Sequence, residues 1–458
     1  MTATADPAAA SDPAPASDSP WRGGYGRTTA GVFALAFLFA FEALAVATVM
    51  PDVAADLDGL RWYAVAFAAP LAASVVALAG AGGMADRLGP APVLRRGLLV
   101  FVVGVALAGL APTMPLFVLG RLVHGFGGGI LGVALYVVIA QAYPVTMRPR
   151  VFAVLTTAWV LPALVGPLVA AQVAHLVGWR WVFLGVPLIA VAAWTLVADA
   201  PSAPRTGEER EQRGEHRRLW ALVAAVGVLL VGLAGQRVVA WWPALVLAGA
   251  VAVLMAGRRL LPERSWSLSP GLPAVLLSRG AIGTAFGAAE VYVPLLLVLD
   301  RDLSLTQAGW LLTAGAVTWS LGAVLAARWP VLADEPGRVR IGAILVATGI
   351  AGFALVGVPG VPLAALVLAW AVAGLGIGMA FSTLSVLALA TAEVGEEGQV
   401  SAALQLNDYL VQGTTVALGG VVFALFAETA PAAAATGLVV AAAVVGALAL
   451  APAALLRR

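Results

Sequence analysis

Six ionisable side chains interrupt long apolar runs of this sequence: Glu42, Arg121, His124, Arg279, Glu290 and Asp408. A carboxylate in such surroundings is pulled two ways. Desolvation favours its neutral form, and a nearby guanidinium favours its charged form. A change in that contact moves a proton, so Glu42, Arg121 and Asp408 are the candidates for proton coupling. The bland alternative for any acid–arginine pair is a permanent ion pair that only fixes packing. His124 follows Arg121 by three residues and shares its helical face. It is either a hydrogen-bonded packing residue or a proton carrier.

A second constellation is the stretch GRLVHGFGGGILG, in which Gly127, Gly129 and Gly132 spell the dinucleotide-binding pattern G-x-G-x-x-G. That loop needs a strand before it, a helix after it and an acidic residue about 20 positions on. Here the glycines lie within an apolar segment bounded by Pro115 and Pro144, and no acid occurs between Arg87 and Asp199. Instead Gly125, Gly128, Gly129 and Gly132 recur at i, i+3, i+4 and i+7. Such a face lets two helix backbones approach closely in lipid.

Other chemistry finds no support. The chain has no cysteine, and His124, His175 and His216 lack metal-ligand spacing. No Walker A sequence is present and no nucleophile–base set is spaced for catalysis. The expectation is therefore a protein that is not an enzyme, has no cofactor or metal, takes no nucleic-acid partner, and draws on an ion gradient rather than ATP.

The composition defines the elements that must hold these residues. Of 458 residues 61% are hydrophobic and 11% charged, and the mean hydropathy is +0.97; a soluble domain is nearer half apolar and a quarter charged. The solvent for most of the chain is lipid. Apolar segments of spanning length run at about 31–50, 62–84, 94–111, 115–142, 151–177, 180–198, 219–235, 241–256, 271–298, 307–327, 341–357, 362–390, 400–426 and 433–454, which predicts fourteen helices. All 26 basic residues are arginine, and with the N-terminus inside, twenty fall in inner segments while only Arg61, Arg180, Arg237 and Arg301 fall outside. Both termini are then cytoplasmic in a multi-pass protein of the cell membrane. The expected organisation is a disordered tail (1–27), a six-helix bundle (28–198), a charged cytoplasmic loop (199–218), an inserted helix pair (219–260) and a second bundle (261–458). GFGGGILGVALYVVIAQA from Gly125 parallels GLGIGMAFSTLSVLALA from Gly374, at the fourth helix of each bundle. Two related halves joined by a long inner loop is a transporter pattern.

Several motifs give this pattern a family likeness. GGMADRLG after the second segment resembles the loop signature of the major facilitator superfamily, with Gly82, Asp86, Arg87 and Gly89 matching and Met84, Pro90 and Ala91 departing. Arg121 and Gly125 match the R-x-x-x-G of that family's fourth helix. Gly166-Pro167 resembles the centre of its antiporter motif, with Pro162 where the first glycine should stand. GWRWVFLGVP resembles the start of the sixth helix in drug exporters. Fourteen helices, two of them between the six-helix halves, resemble the drug:proton antiporter branch. The resemblance implies an all-α membrane fold in which the first and fourth helices of each half line a central cavity.

On that basis Glu42 and Arg121, both roughly 9–14 Å below the outer surface, border one aqueous space with His124, Arg279, Glu290 and the aromatic contacts Trp159, Phe286, Tyr292, Trp310 and Trp370. Asp408 and Arg279 both lie in the inner half. Asp408 pairs with Arg279, serves as a second protonation site, or makes a buried interhelical hydrogen bond. The likeness also implies an inner gate of Gly82, Asp86, Arg87 and Gly89, with Asp86 attracted to the helix that begins near Gln399. Gly125, Gly128, Gly129, Gly132, Gly166 and Pro167 are expected to pack helices. The expected function is proton-coupled export of amphipathic, cationic or neutral small molecules by a monomer working through alternating access. The rivals are export of an endogenous metabolite or lipid, uptake by symport, and a non-transporting receptor or scaffold.

Overall fold

The computed structural model describes residues 19–22, 25–144, 146–197, 211–236, 240–328, 334–392 and 397–456. Most of the expected N-terminal tail, residues 199–210 of the expected charged loop, and the side chain of Asp86 lie outside the described residues. The first bundle comprises α1 (Tyr25–Asp56), α2 (Tyr63–Leu88), α3 (Pro90–Gly109), α4 (Met114–Ala142), α5 (Arg148–Val177) and α6 (Arg180–Val197). Then come α7 (Glu211–Ala234) and α8 (Trp242–Leu260). The second bundle comprises α9 (Leu272–Arg301), α10 (Leu305–Arg328), α11 (Glu335–Phe353), α12 (Leu363–Ala390), α13 (Glu397–Phe426) and α14 (Pro431–Leu448), followed by the short α15 (Leu450–Ala453).

Every expected segment is a helix. Among the described residues thirteen are long and apolar enough to cross a membrane, and α6 adds a shorter apolar stretch, Arg180–Leu196. The differences fall at the ends. α1 begins within the expected tail and continues past Pro51, and α7 begins within the expected charged loop. Hydropathy marks the part of a helix that meets hydrocarbon, whereas the backbone hydrogen bonds continue into the polar layer. Proline in the first turn of α3, α4, α8, α9 and α14 starts those helices, where its missing N–H costs nothing.

The GWRWVF stretch ties α6 to α1. Gly178 turns the chain at φ +94°, a conformation that favours glycine. The Trp179 indole then donates to Asp56 Oδ2 at 3.2 Å, and Arg180 Nη1 donates to the same oxygen at 2.6 Å. The Arg180 guanidinium also lies 4.4 Å from the Trp179 ring centre.

Helix α4 packs chiefly against α2 and α3, and its glycines face three neighbours rather than one. A Cβ on Gly125 would overlap Pro70 of α2, and one on Gly129 would stand 2.6 Å from Ala77 of the same helix. A Cβ on Gly127 would overlap the Phe101 backbone of α3, and one on Gly128 would meet the Phe39 ring of α1 at 2.5 Å. Gly132, expected on the packing face, has open space beside it. Gly166 is in ordinary contact with Phe41, and the carbonyl of Pro167 lies close to Gly309 of α10. The second half repeats the pattern. A Cβ on Gly374 or Gly378 would overlap the backbone of α10, and one on Gly376 would stand 2.6 Å from the Gly342 carbonyl oxygen of α11. In both halves, then, the glycines of the fourth helix remove the side chains that would hold its two flanking backbones away.

The bundles meet along α2 with α13 and α5 with α10. Inserted in sequence between the bundles, the α7–α8 pair packs in space on the flank of α2 and α13. Gly125→Ala and Gly374→Ala should each destabilise the protein by about 1–3 kcal/mol through overpacking, while Gly132→Ala should change little. Apparent Tm values of the three purified variants in detergent check this ordering.

Candidate functional site

The membrane-embedded charges form two clusters. In the first, Arg121 of α4 pairs through Nη1 with Glu42 Oε1 of α1. The Arg121 Nε donates to the Ala66 carbonyl of α2 at 3.3 Å. His124 Nδ1 lies 3.3 Å from Arg121 Nη1, and its Nε2 lies 2.7 Å from Glu42 Oε2, although at an angle outside hydrogen-bond geometry. The His124 ring rests on Phe101 of α3, with centroids 4.8 Å apart. Glu42, Arg121 and His124 are 2%, 4% and 4% exposed, so they are enclosed inside the first bundle rather than lining an open cavity. The helix spacing explains the enclosure: the glycine at 125 brings α2 against α4 one turn below Arg121, and Ser74 of α2 donates to the Gly125 carbonyl at 2.9 Å.

The second cluster joins three helices of the other bundle. Arg279 Nε of α9 donates to both oxygens of Asp408 on α13, at 3.1 and 2.9 Å. Its Nη1 donates to Ser385 Oγ of α12 at 2.9 Å, and the guanidinium lies 4.1 Å from the Phe381 ring centre. These side chains retain 13% and 23% exposure, more than the first pair. Beside them Asn407 is fully buried, donating to the Leu276 carbonyl at 3.0 Å and accepting from the Trp266 indole at 3.2 Å. Ser385, Phe381, Asn407 and Trp266 were not singled out in the sequence, because polar and aromatic residues of apolar helices carry no spacing signal that names their partner.

Glu290 stands apart. It is partly buried and lies on the same face of α9 as Phe286 and Gly283, with no ion pair or hydrogen bond among the described residues. It sits eleven residues before Arg301, roughly 16 Å along the axis from that end of α9.

The expected aromatic contacts disperse. Phe286 stacks on Trp370 at 4.8 Å and meets Trp319 edge-on, and both Phe286 and Trp370 are buried in the second bundle. Trp310 is exposed with Val317, Leu321 and Val324 on one face of α10, an apolar stripe suited to lipid. Trp159 is 44% exposed and packs edge-on against Phe39.

Tyr292 takes part in a seal between the halves. Its ring stacks on Tyr63 of α2 at 6.2 Å and lies 5.3 Å from Phe423 of α13. Near these rings, at the arginine-poor end of the molecule, Arg61 pairs with Glu428 at 2.9 Å across the same seam. At the other end, Gly82 faces open space, Gly89 turns the chain at φ +77°, and Arg87 is exposed.

Two six-helix bundles, related by a repeated glycine packing, sealed at one end and holding ion pairs at membrane depth, define a membrane transporter. The chain belongs to the Major Facilitator Superfamily, whose family model matches residues 32–415. It is 28% identical over 407 residues to a probable multidrug-efflux transporter of Mycobacterium tuberculosis, covering 84% of this chain and 85% of that one. To the multidrug efflux pump SdrM of Staphylococcus aureus it is 23% identical, covering 64% and 66%. A crystal structure of a POT family transporter in complex with 5-aminolevulinic acid superposes with a TM-score of 0.70 at 14% identity, covering 94% and 97%. That likeness extends to the fold.

Breaking a buried ion pair on one side strands the other charge, at about 3–5 kcal/mol, whereas removing both partners is far milder. Arg121→Gln should therefore lower the stability by that order, and Glu42→Gln/Arg121→Gln should recover more than half of the loss. Unfolding of the single and double variants, analysed as a double-mutant cycle, checks the pair.

Proposed function

We propose that this protein is a proton-coupled antiporter of the cell membrane, with both termini in the cytoplasm, that exports amphipathic cationic or neutral small molecules. The observation that carries the coupling is the contrast between three acids. Glu42 is enclosed by Arg121 and His124, Asp408 is held by Arg279, and Glu290 has no counter-charge among the described residues. A charge at that depth costs about 2.5–3.5 kcal/mol on insertion scales, and taking up a proton removes the cost. Glu290 is accordingly the primary proton carrier in this proposal. Asp408 is the second, released when its helix moves relative to Arg279. Glu42 and Arg121 stay paired and act as the rigid strut of the first bundle.

The substrate class rests on the apolar helices, on the Glu290 carboxylate, whose negative charge suits a cation, and on two relatives, a probable multidrug-efflux transporter and a multidrug efflux pump. The arginine bias supports the orientation, since the basic end faces the cytoplasm by the positive-inside rule. The seal of Tyr63, Tyr292, Phe423 and the Arg61–Glu428 pair then closes the outer side. Opening that seal while closing the opposite end is the alternating step.

In proteoliposomes with an imposed pH gradient, the wild type should drive uphill flux of an amphipathic cation opposite to proton flow. Glu290→Gln should abolish the gradient-driven part and leave downhill exchange, while Glu42→Gln should slow flux without uncoupling it. Flux in the same direction as protons would establish symport instead, and no flux across a broad substrate panel would reject transport of this class. The sequence has no cysteine, so Arg61→Cys/Glu428→Cys carries the only thiol pair. Bridging the two thiols with a short bis-methanethiosulfonate linker should stop transport, and reduction should restore it.

A further inference from the structure

Between α9, α13 and α14 lies a crevice of about 220 Å³ that no step above uses. Its walls are apolar, with Ala285, Ala288, Val416, Leu438 and Val445 among them, and among the described residues no charged side chain lines it. Two buried hydroxyls border it, those of Tyr292 and Thr284, whose residues are 2% and 3% exposed. Neither hydroxyl has a hydrogen-bond partner among the described residues. Burying a hydroxyl without a partner costs about 1–3 kcal/mol, and native interiors seldom leave such groups unpaired. The Tyr292 hydroxyl faces Gly419, where an added Cβ would come within 3.8 Å of it, so the glycine keeps the space in front of the oxygen open. At the mouth, Leu418 and Val422 are 39% and 45% exposed.

We infer that this crevice is a lateral binding site, entered from the membrane, for a neutral lipid-soluble small molecule that brings one hydrogen-bonding group to Tyr292. The absence of a lining charge selects against phosphate and ammonium groups. The depth selects against a bilayer lipid as well. α9 has 30 residues and is roughly 45 Å long, and Thr284 lies roughly 18 Å from its start and 25 Å from its end, near the middle of a hydrocarbon layer of about 30 Å centred on the helix. A glycerolipid keeps its polar groups at the surface of that layer and offers nothing to a hydroxyl at this depth. The volume is below the roughly 300–1,000 Å³ of drug-sized sites, which suits a small ring compound such as a phenol. The ring of Tyr292 belongs to the seal between the halves, so an occupant that bonds its hydroxyl contacts the gate from the lipid side. The inference stands apart from the transport proposal, because occupancy is scored with no gradient imposed.

The probe is a phenol carrying a diazirine, cross-linked by light to the full-length protein in phosphatidylglycerol liposomes, with the labelled peptides mapped by mass spectrometry. The expected label falls on α9, α13 and α14 and is displaced by excess unlabelled phenol. Tyr292→Phe keeps the ring and removes only the hydroxyl, and should weaken labelling by about two- to tenfold, the range of one net hydrogen bond. Gly419→Leu fills the space before that hydroxyl and should abolish labelling while gradient-free Tm stays near wild type. Label spread evenly over lipid-facing helices, label confined to α1, α4 and α12, or labelling untouched by both variants overturns the site. Displacement by added phosphatidylglycerol but not by phenol assigns the crevice to lipid and overturns the inference equally.

Discussion

A charge in hydrocarbon must find an opposite charge, a hydrogen-bond donor set or a proton, and this requirement organises the molecule. Arg121 meets it with Glu42 and a backbone carbonyl, and Arg279 meets it with both oxygens of Asp408, a serine hydroxyl and an aromatic face. Each solution pins several helices at one point, so each bundle is tied together where its charges sit. Glu290 has no such solution among the described residues. The embedded acids thus differ in how firmly they are held: Glu42 within the first bundle, Asp408 between helices of the second, and Glu290 by no ion pair among the described residues.

These contacts depend on how closely the backbones approach. A neutral helix surface gains nothing from hydrophobic exclusion in lipid, so association rests on van der Waals packing and short polar contacts. The glycines of α4 and α12 supply that packing in parallel ways, toward α2 and α3 in one half and toward α10 and α11 in the other. With α2 drawn in by Gly125, the Ala66 carbonyl comes within reach of Arg121. The structural repeat and the placement of charge are thus one arrangement seen at two scales. The inserted pair α7–α8 adds a flank to α2 and α13 without entering either bundle, and Trp266, in the connection from α8 to α9, reaches Asn407 next to the Arg279–Asp408 pair.

The seal between the halves has a different character. Tyr63, Tyr292 and Phe423 close it by ring contact, and its salt bridge is largely exposed. Exposed ion pairs contribute about 0–1 kcal/mol, and ring pairs about 0.5–1.5 kcal/mol each beyond burial. Such a closure is weak enough to be reversed in a working cycle, whereas the buried clusters within each bundle are costly to open. Rigid halves and a reversible seam are what the alternating step proposed above requires.

The order and number of helices, their spacing along the chain, the related halves and the identity of the embedded charges were all legible in the sequence. Each follows from a local quantity: hydropathy over about 20 residues, arginine counts between segments, or a glycine pattern repeated at a fixed place. The pairing of Arg279 with Asp408 stood there only as one of three alternatives, and which neighbour each glycine faces was not legible; Gly127 turned to α3 and Gly132 to open space. The aromatic residues expected around a central cavity were dispersed into a core, a lipid-facing stripe and a gate, because a rotation of roughly 100° per residue carries neighbouring side chains to different surroundings. By itself, then, the sequence determined what must lie in lipid and which charges lie there with it. Only the tertiary structure decided which charges neutralise one another and which, among the described residues, stands without a partner, since that depends on helix rotation and backbone distance between segments far apart in the chain.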